Sequence, residues 1–145
     1  MFRTALLVLA LVSQQVPAGD GWYTQGKFRP AERLAFTVSN TLDIDRENAP
    51  VVIPRQGFPY PDLHEMRITV VDPELPSYEG PSEELLLQQG GHQMRAETNG
   101  HAVFHQVDDL DKDGIWDEIF FQTDIRAGSE KTIYIYLGEN IRGWN

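Results

Sequence analysis

The chain has 145 residues, carries 12 Lys+Arg against 22 Asp+Glu for a formal net charge of −10 at pH 7, and contains no cysteine. That balance repels nucleic acid and anionic membrane surfaces and excludes both as partners. Without cysteine there is no disulfide and no thiol nucleophile, so an ordinary core, with or without a bound cation, has to hold the fold together.

The first eighteen residues have the composition of a secretion signal. Arg3 precedes the unbroken run Thr4–Val12 (TALLVLALV), and Val16-Pro17-Ala18 places small residues at a cleavage site. A nine-residue apolar run is short of the roughly twenty residues that span a bilayer as a helix, so no membrane span is expected. No cysteine follows to take a lipid. The expected product is exported, periplasmic or extracellular and bacterial. It comprises residues 19–145, enough for one domain with a real core.

Residues 19–32 mix Gly, Trp, Tyr, Lys and Pro without a period and form a lead-in segment; the domain proper is expected over 33–138. Leu34, Phe36 and Val38 alternate with polar neighbours, the two-residue period of a half-buried strand. Pro50–Pro54 is a short strand bounded by prolines, which places it at a sheet edge or a strand start. Met66–Val71 alternates again. Ser82–Gln89 has glutamates in its first turn and Gly90 past its end, which predicts one short helix. Asn99-Gly100 is a type I′ hairpin signal joining a strand that ends near Thr98 to one over His101–Val107. Ile119–Thr123 and Lys131–Leu137 complete the set. In the last strand both faces are apolar, which predicts a central position. About seven short strands with turns between them predict an all-β, mainly antiparallel β-sandwich with one short helix in a connection. Residues 139–145 form a C-terminal tail. Its Ile141 and Trp144 are large apolar groups at a terminus, which gives the expectation that the chain is truncated there and that a following domain of the same protein covers them.

The chemistry concentrates in one loop. Asp109-Leu110-Asp111-Lys112-Asp113-Gly114-Ile115-Trp116-Asp117 fits D-x-D-x-D-G-x-x-D. Calcium takes six to eight oxygen ligands. The carboxylates of Asp109, Asp111 and Asp113, the carbonyl of Ile115 and a carboxylate oxygen of Asp117 are the expected donors, with Gly114 allowing the sharp turn. Position 12 is Phe120 where a helical calcium hand has glutamate, and the flanks are strands, so weak binding of the extracellular kind is expected. The competing reading is a solvated acidic hairpin turn with no ion. Crowded carboxylates with only Lys112 beside them weigh against it.

Other signals are weaker. His64-Glu65 lacks the second histidine of a zinc-protease helix, since Ile68 stands in its place. His92, His101 and His105 could gather on one hairpin, with His101 and His105 sharing a strand face with Val103; hydrogen-bonded or surface histidines are the commoner role. Trp22, Tyr23, Phe58, Tyr60, Tyr78 and Trp116 are candidates to stack on sugar rings, although core packing is commoner. No catalytic residue is assigned.

The stretches Val38-Ser39-Asn40, Asp45-Arg46, Pro50-Val51, Gln106–Gly114, Trp116-Asp117-Glu118 and Phe121–Asp124 resemble an uncharacterised family, a domain of unknown function found in exported bacterial proteins and often encoded beside polysaccharide-degrading enzymes. The resemblance covers about residues 33–138. It implies an N-terminal β-sandwich region acting on, or alongside, a polysaccharide or oligosaccharide. Three readings follow: a non-catalytic calcium-stabilised domain of a carbohydrate-processing protein, the N-terminal part of a hydrolase or lyase whose catalytic residues lie past residue 145, and a free-standing calcium-dependent sugar-binding module.

Overall fold

The computed structural model describes residues 8–14, 22–23, 30, 32–59, 67–75 and 101–138. The described chain is all-β and mainly antiparallel, as expected. Its strands are β1 (Val8–Gln14), β2 (Glu32–Ser39), β3 (Arg46–Pro54), β4 (Arg67–Val71), β5 (Ala102–Val103), β6 (His105–Asp108), β7 (Glu118–Ile125) and β8 (Glu130–Gly138), with a single 3-10 turn at Arg55–Gly57. They form a five-stranded sheet in the order β1-β2-β8-β4-β5 and a three-stranded sheet in the order β3-β7-β6. The helix expected at Ser82–Gln89, the Asn99-Gly100 turn, the strand near Thr98 and the tail 139–145 lie outside the described residues.

The alternation read in the sequence becomes the core. Leu34, Phe36 and Val38 of β2 lie opposite Ile135, Ile133 and Lys131 of β8, and Ile68 and Val70 of β4 lie opposite Leu137 and Ile135. This row packs in one buried cluster with Ala49, Val51 and Ile53 of β3 and Ile119, Phe121 and Ile125 of β7. Strand β8 is flanked by β2 and β4, the central position that its two apolar faces predicted. Strand β3, with its prolines, is an edge strand among the described residues. It carries a register shift between Arg46 and Ala49, where Asn48 adopts φ 50° and its N–H donates to Asp124 Oδ1 at 2.7 Å. Asparagine tolerates that left-handed conformation better than most residues.

Two findings depart from the strand pattern expected. Val8–Gln14, part of the segment expected as a secretion signal, lies among the described residues as an edge strand antiparallel to β2, with Leu11 opposite Phe36 and Gln14 opposite Arg33. The stretch expected as one strand over His101–Val107 is broken at Phe104. Val103 pairs with Val70 in one sheet, whereas His105 pairs with Phe121 in the other. A strand that changes sheet has to bend at the corner of the sandwich. No Gly or Pro marks the corner, so nothing in the local residue pattern signals it.

The outer face of the larger sheet carries a second cluster. Tyr136 and Val71 are buried beneath Trp22, Tyr23 and Tyr134, and the Arg33 guanidinium sits 5.1 Å from the Trp22 ring centroid and 4.3 Å from that of Tyr134. The Tyr23 N–H donates to the Tyr136 hydroxyl at 2.8 Å, while burial pushes that phenol above its ordinary pKa. The part of the lead-in segment at residues 22–23 thus packs against the sheet.

Polar ties lock the end of the sandwich near the β7–β8 turn. Asn40 is buried; its Nδ2 donates to the carbonyls of Ile44 at 2.8 Å and Arg126 at 3.1 Å, and its Oδ1 accepts from the Leu42 N–H. One side chain therefore joins the β2–β3 loop to the β7–β8 turn. Replacing Asn40 by Ala would strand these carbonyls and should cost about 1–3 kcal/mol of stability. Urea unfolding should show a lower midpoint at unchanged slope, whereas Asp43→Ala in the same exposed loop should leave the midpoint nearly unmoved.

Candidate metal centre

The nine residues Asp109–Asp117 form the hairpin loop between β6 and β7. Both ends of the loop are fastened. The Asp117 N–H donates to the Asp108 carbonyl at 2.7 Å, and the Asp117 carbonyl accepts from Arg55 N–H at 2.7 Å. Trp116 is buried with its ring edge-on to Phe58 at 5.7 Å, and Phe58 in turn lies 5.5 Å from Phe36. The base of the acidic loop is thus an extension of the hydrophobic core.

Within the loop the carboxylates curl the backbone. Asp109 Oδ1 accepts from the N–H groups of Lys112 at 2.8 Å and Asp113 at 3.2 Å, and its Oδ2 from Gly114 at 2.9 Å. Asp111 Oδ1 accepts from Asp113 N–H at 3.2 Å, Asp113 Oδ1 from Ile115 N–H at 2.8 Å, and Asp117 Oδ2 from Leu110 N–H at 2.7 Å. Local side-chain to backbone bonds of this kind are how aspartate holds a chain out of regular structure. Lys112 at φ 65° and Gly114 at φ 89° supply the left-handed turns.

Of the donors expected from the sequence, Asp109, Asp111 and Asp117 each present a carboxylate oxygen within 4.8 Å of the others. Calcium–oxygen distances of about 2.3–2.6 Å let two ligands of one ion stand no more than about 5 Å apart, so these three carboxylates fit a single coordination sphere. Asp113 is not in that group; its Oδ1 is turned to the Ile115 backbone. Ile115 is half-buried beside it. The arrangement is therefore an open, oxygen-only, acidic cup exposed at Asp109 and Asp111.

Among the described residues, the others singled out from the sequence do not converge. His101 is buried with its ring 4.8 Å from Tyr23, while His105 lies past the sheet crossover, so the two do not share a strand face. Phe58 and Trp116 are core residues, and Trp22 and Tyr23 cover the outer face of the larger sheet. His64, Glu65, His92, Tyr60 and Tyr78 lie outside the described residues. Among the described residues the most exposed aromatic ring is Phe104, 75% exposed, which sequence reading missed because it looked like an ordinary strand position. It borders an open cleft of about 1270 Å³ that also takes in Gln106, Phe120 and Gln122 and does not include the acidic loop.

Fold and site together define a two-sheet antiparallel β protein with an acidic loop suited to a hard cation. Residues 81–142 match the family model described as a domain of unknown function (DUF4861), a stretch that holds β5 to β8 and the whole acidic loop. No curated protein and no solved structure matches the chain.

Two outcomes are expected from this geometry. At Gly114 an added Cβ would meet no atom within 4 Å, so Gly114→Ala should cost only the backbone strain of its positive φ, about 1–2 kcal/mol, measured by chemical unfolding. His105 has its pKa lowered below 6.5 by burial, opposed by its contact with the Val103 carbonyl. The unfolded chain then takes up a proton near pH 6.5 that the folded chain refuses. Stability should fall as pH drops below that value, and His105→Gln should flatten the dependence in urea titrations over that range.

Proposed function

We propose that this chain is an exported, calcium-stabilised β-sandwich domain of a protein that processes polysaccharides, and that the domain itself is non-catalytic. The observation that carries the calcium reading is the convergence of the Asp109, Asp111 and Asp117 carboxylates on a loop anchored at both ends. A cation there would relieve the repulsion among carboxylates that otherwise face one another across solvent. Export is supported by the Arg3, Thr4–Val12 and Val16-Pro17-Ala18 pattern. On that reading β1 belongs to the precursor, and cleavage after Ala18 leaves β2 as the sheet edge. The polysaccharide assignment is supported by the resemblance carried by the Asp loop and its flanking stretches.

Thermal melts of the purified protein in EDTA and in millimolar calcium test the reading. If free calcium exceeds the dissociation constant a hundredfold, mass action adds about 2.7 kcal/mol. Asp109→Ala and Asp111→Ala should abolish the calcium-dependent rise, while Asp113→Ala, whose carboxylate stands outside the converging group, should retain more of it. Equal midpoints in the two buffers, with no heat of calcium binding, would dismiss the site.

One observation favours a second reading, a sugar-binding module. Phe104, Gln106, Phe120 and Gln122 place an exposed ring and two amides on neighbouring positions of one sheet face, the chemistry with which proteins hold sugar hydroxyls and C–H faces. Both readings expect no turnover. Product chromatography after incubation with neutral and uronic-acid-containing oligosaccharides should show no cleavage, and affinity electrophoresis with Phe104→Ala as comparison separates a binding module from a purely structural domain.

A further inference from the structure

The end of the sandwich opposite the acidic loop buries an ion pair. Lys131 Nζ lies 2.6 Å from Asp72 Oδ2, with the two side chains 6% and 2% exposed. Lys131 opens the inner row of β8 and Asp72 follows β4, next to it in the same sheet. Their flanking residues Val70, Ile133, Phe121 and Ile125 all belong to the buried core. Around the pair the polar groups are specific. Asp72 Oδ1 accepts from the Glu74 N–H at 3.0 Å, and Oδ2 accepts from Thr123 Oγ1 at 2.9 Å. Nζ also donates to the Asp124 carbonyl at 2.7 Å, and Glu74 Oε2 stands 3.8 Å from Nζ at the solvent side.

A salt bridge needs only the first contact. This site adds a donor for each carboxylate oxygen, a second carboxylate beside the amine and an opening to solvent, which are the parts of an acyl-transfer centre. We propose that Lys131 and Asp72 condense to an intramolecular amide, an isopeptide bond that joins β8 covalently to the end of β4.

The step needs no co-reactant. The reaction begins with transfer of one proton along the short Nζ–Oδ2 contact, which frees the nitrogen lone pair and makes Oδ2 a hydroxyl. The Nζ lone pair attacks Asp72 Cγ, forming the C–N bond. The Glu74 N–H, bonded to Oδ1, is placed to hold the oxygen that carries charge in the tetrahedral intermediate, and the Thr123 hydroxyl, bonded to Oδ2, holds the oxygen that departs. The Glu74 carboxylate takes a proton from nitrogen and returns it to the departing oxygen. The C–O bond then breaks and water leaves. Of the three hydrogens of the ammonium, one stays on the amide nitrogen and two depart with one carboxylate oxygen. The open cleft, lined by both Asp72 and Lys131, is the exit for that water. Holding the partners in contact removes the entropic part of the barrier. In a chain without cysteine such a link restricts the unfolded state as a disulfide would.

Mass spectrometry of the purified wild-type protein under denaturing conditions tests the bond. The expected mass is below that of the sequence, counted from the N-terminus found in the same sample, by one water. Because Asp113-Gly114 can also lose water by cyclising to a succinimide, the deciding result is a proteolytic digest. A branched peptide should join the segment bearing Asp72 to the one bearing Lys131, vanish in Lys131→Arg, and be formed slowly or incompletely in Glu74→Gln. Wild-type protein that gives only linear peptides carrying Asp72 and Lys131 overturns the proposal and leaves a non-covalent ion pair. That result would not touch the calcium reading, which concerns the other end of the sandwich.

Discussion

Everything else in the molecule depends on burying the inner row of β8 against that of β7. Ile133, Ile135 and Leu137 on one side and Ile119, Phe121 and Ile125 on the other are each no more than 3% exposed. A chain this acidic repels itself when compact, and without cysteine no disulfide opposes that repulsion. The apolar contact between the two sheets therefore carries most of the stabilisation, and polar features survive only where the core holds them in place.

The two ends of the sandwich use the core differently. At one end Trp116 and Phe58 extend it beneath the Asp109–Asp117 loop, so a string of carboxylates is presented from a rigid base. There the backbone N–H groups of Lys112, Asp113 and Gly114 already supply partial positive charge to Asp109, which shapes the cup without an ion. At the other end the core closes over Asp72, Lys131 and Thr123, one group from each of β8 and β7 meeting the residue that follows β4. Charge is exposed and unpaired in the first case, buried and fully bonded in the second. The first invites a cation from solvent, whereas the second is satisfied by the protein alone.

The larger sheet has an outer face that is not an ordinary solvated surface. Trp22 and Tyr23 lie over Tyr136, and the Arg33 cation is held between Trp22 and Tyr134. This cap lets β8 be apolar on both sides while only one side faces the other sheet. The smaller sheet has no such cover among the described residues, and Val52, Phe104 and Phe120 remain wholly or partly exposed on its outer face.

Much of this was legible from one-dimensional patterns. Period-two alternation located β2 and β4, prolines marked β3 as an edge or a strand start, two apolar faces marked β8 as central, and aspartate spacing located the acidic loop, because each of these is set by neighbours a few residues apart. The aspartates that converge, by contrast, were not settled by spacing: Asp113 fits the motif as well as Asp111, yet its carboxylate caps its own turn. Nor did alternation show the break at Phe104, since the side-chain period continues while the strand changes sheets. The meeting of Asp72 with Lys131 and Thr123 was invisible for the same reason. Those residues lie far apart in sequence, and only the register of β4 on β8 and the stacking of one sheet on the other decide that they touch.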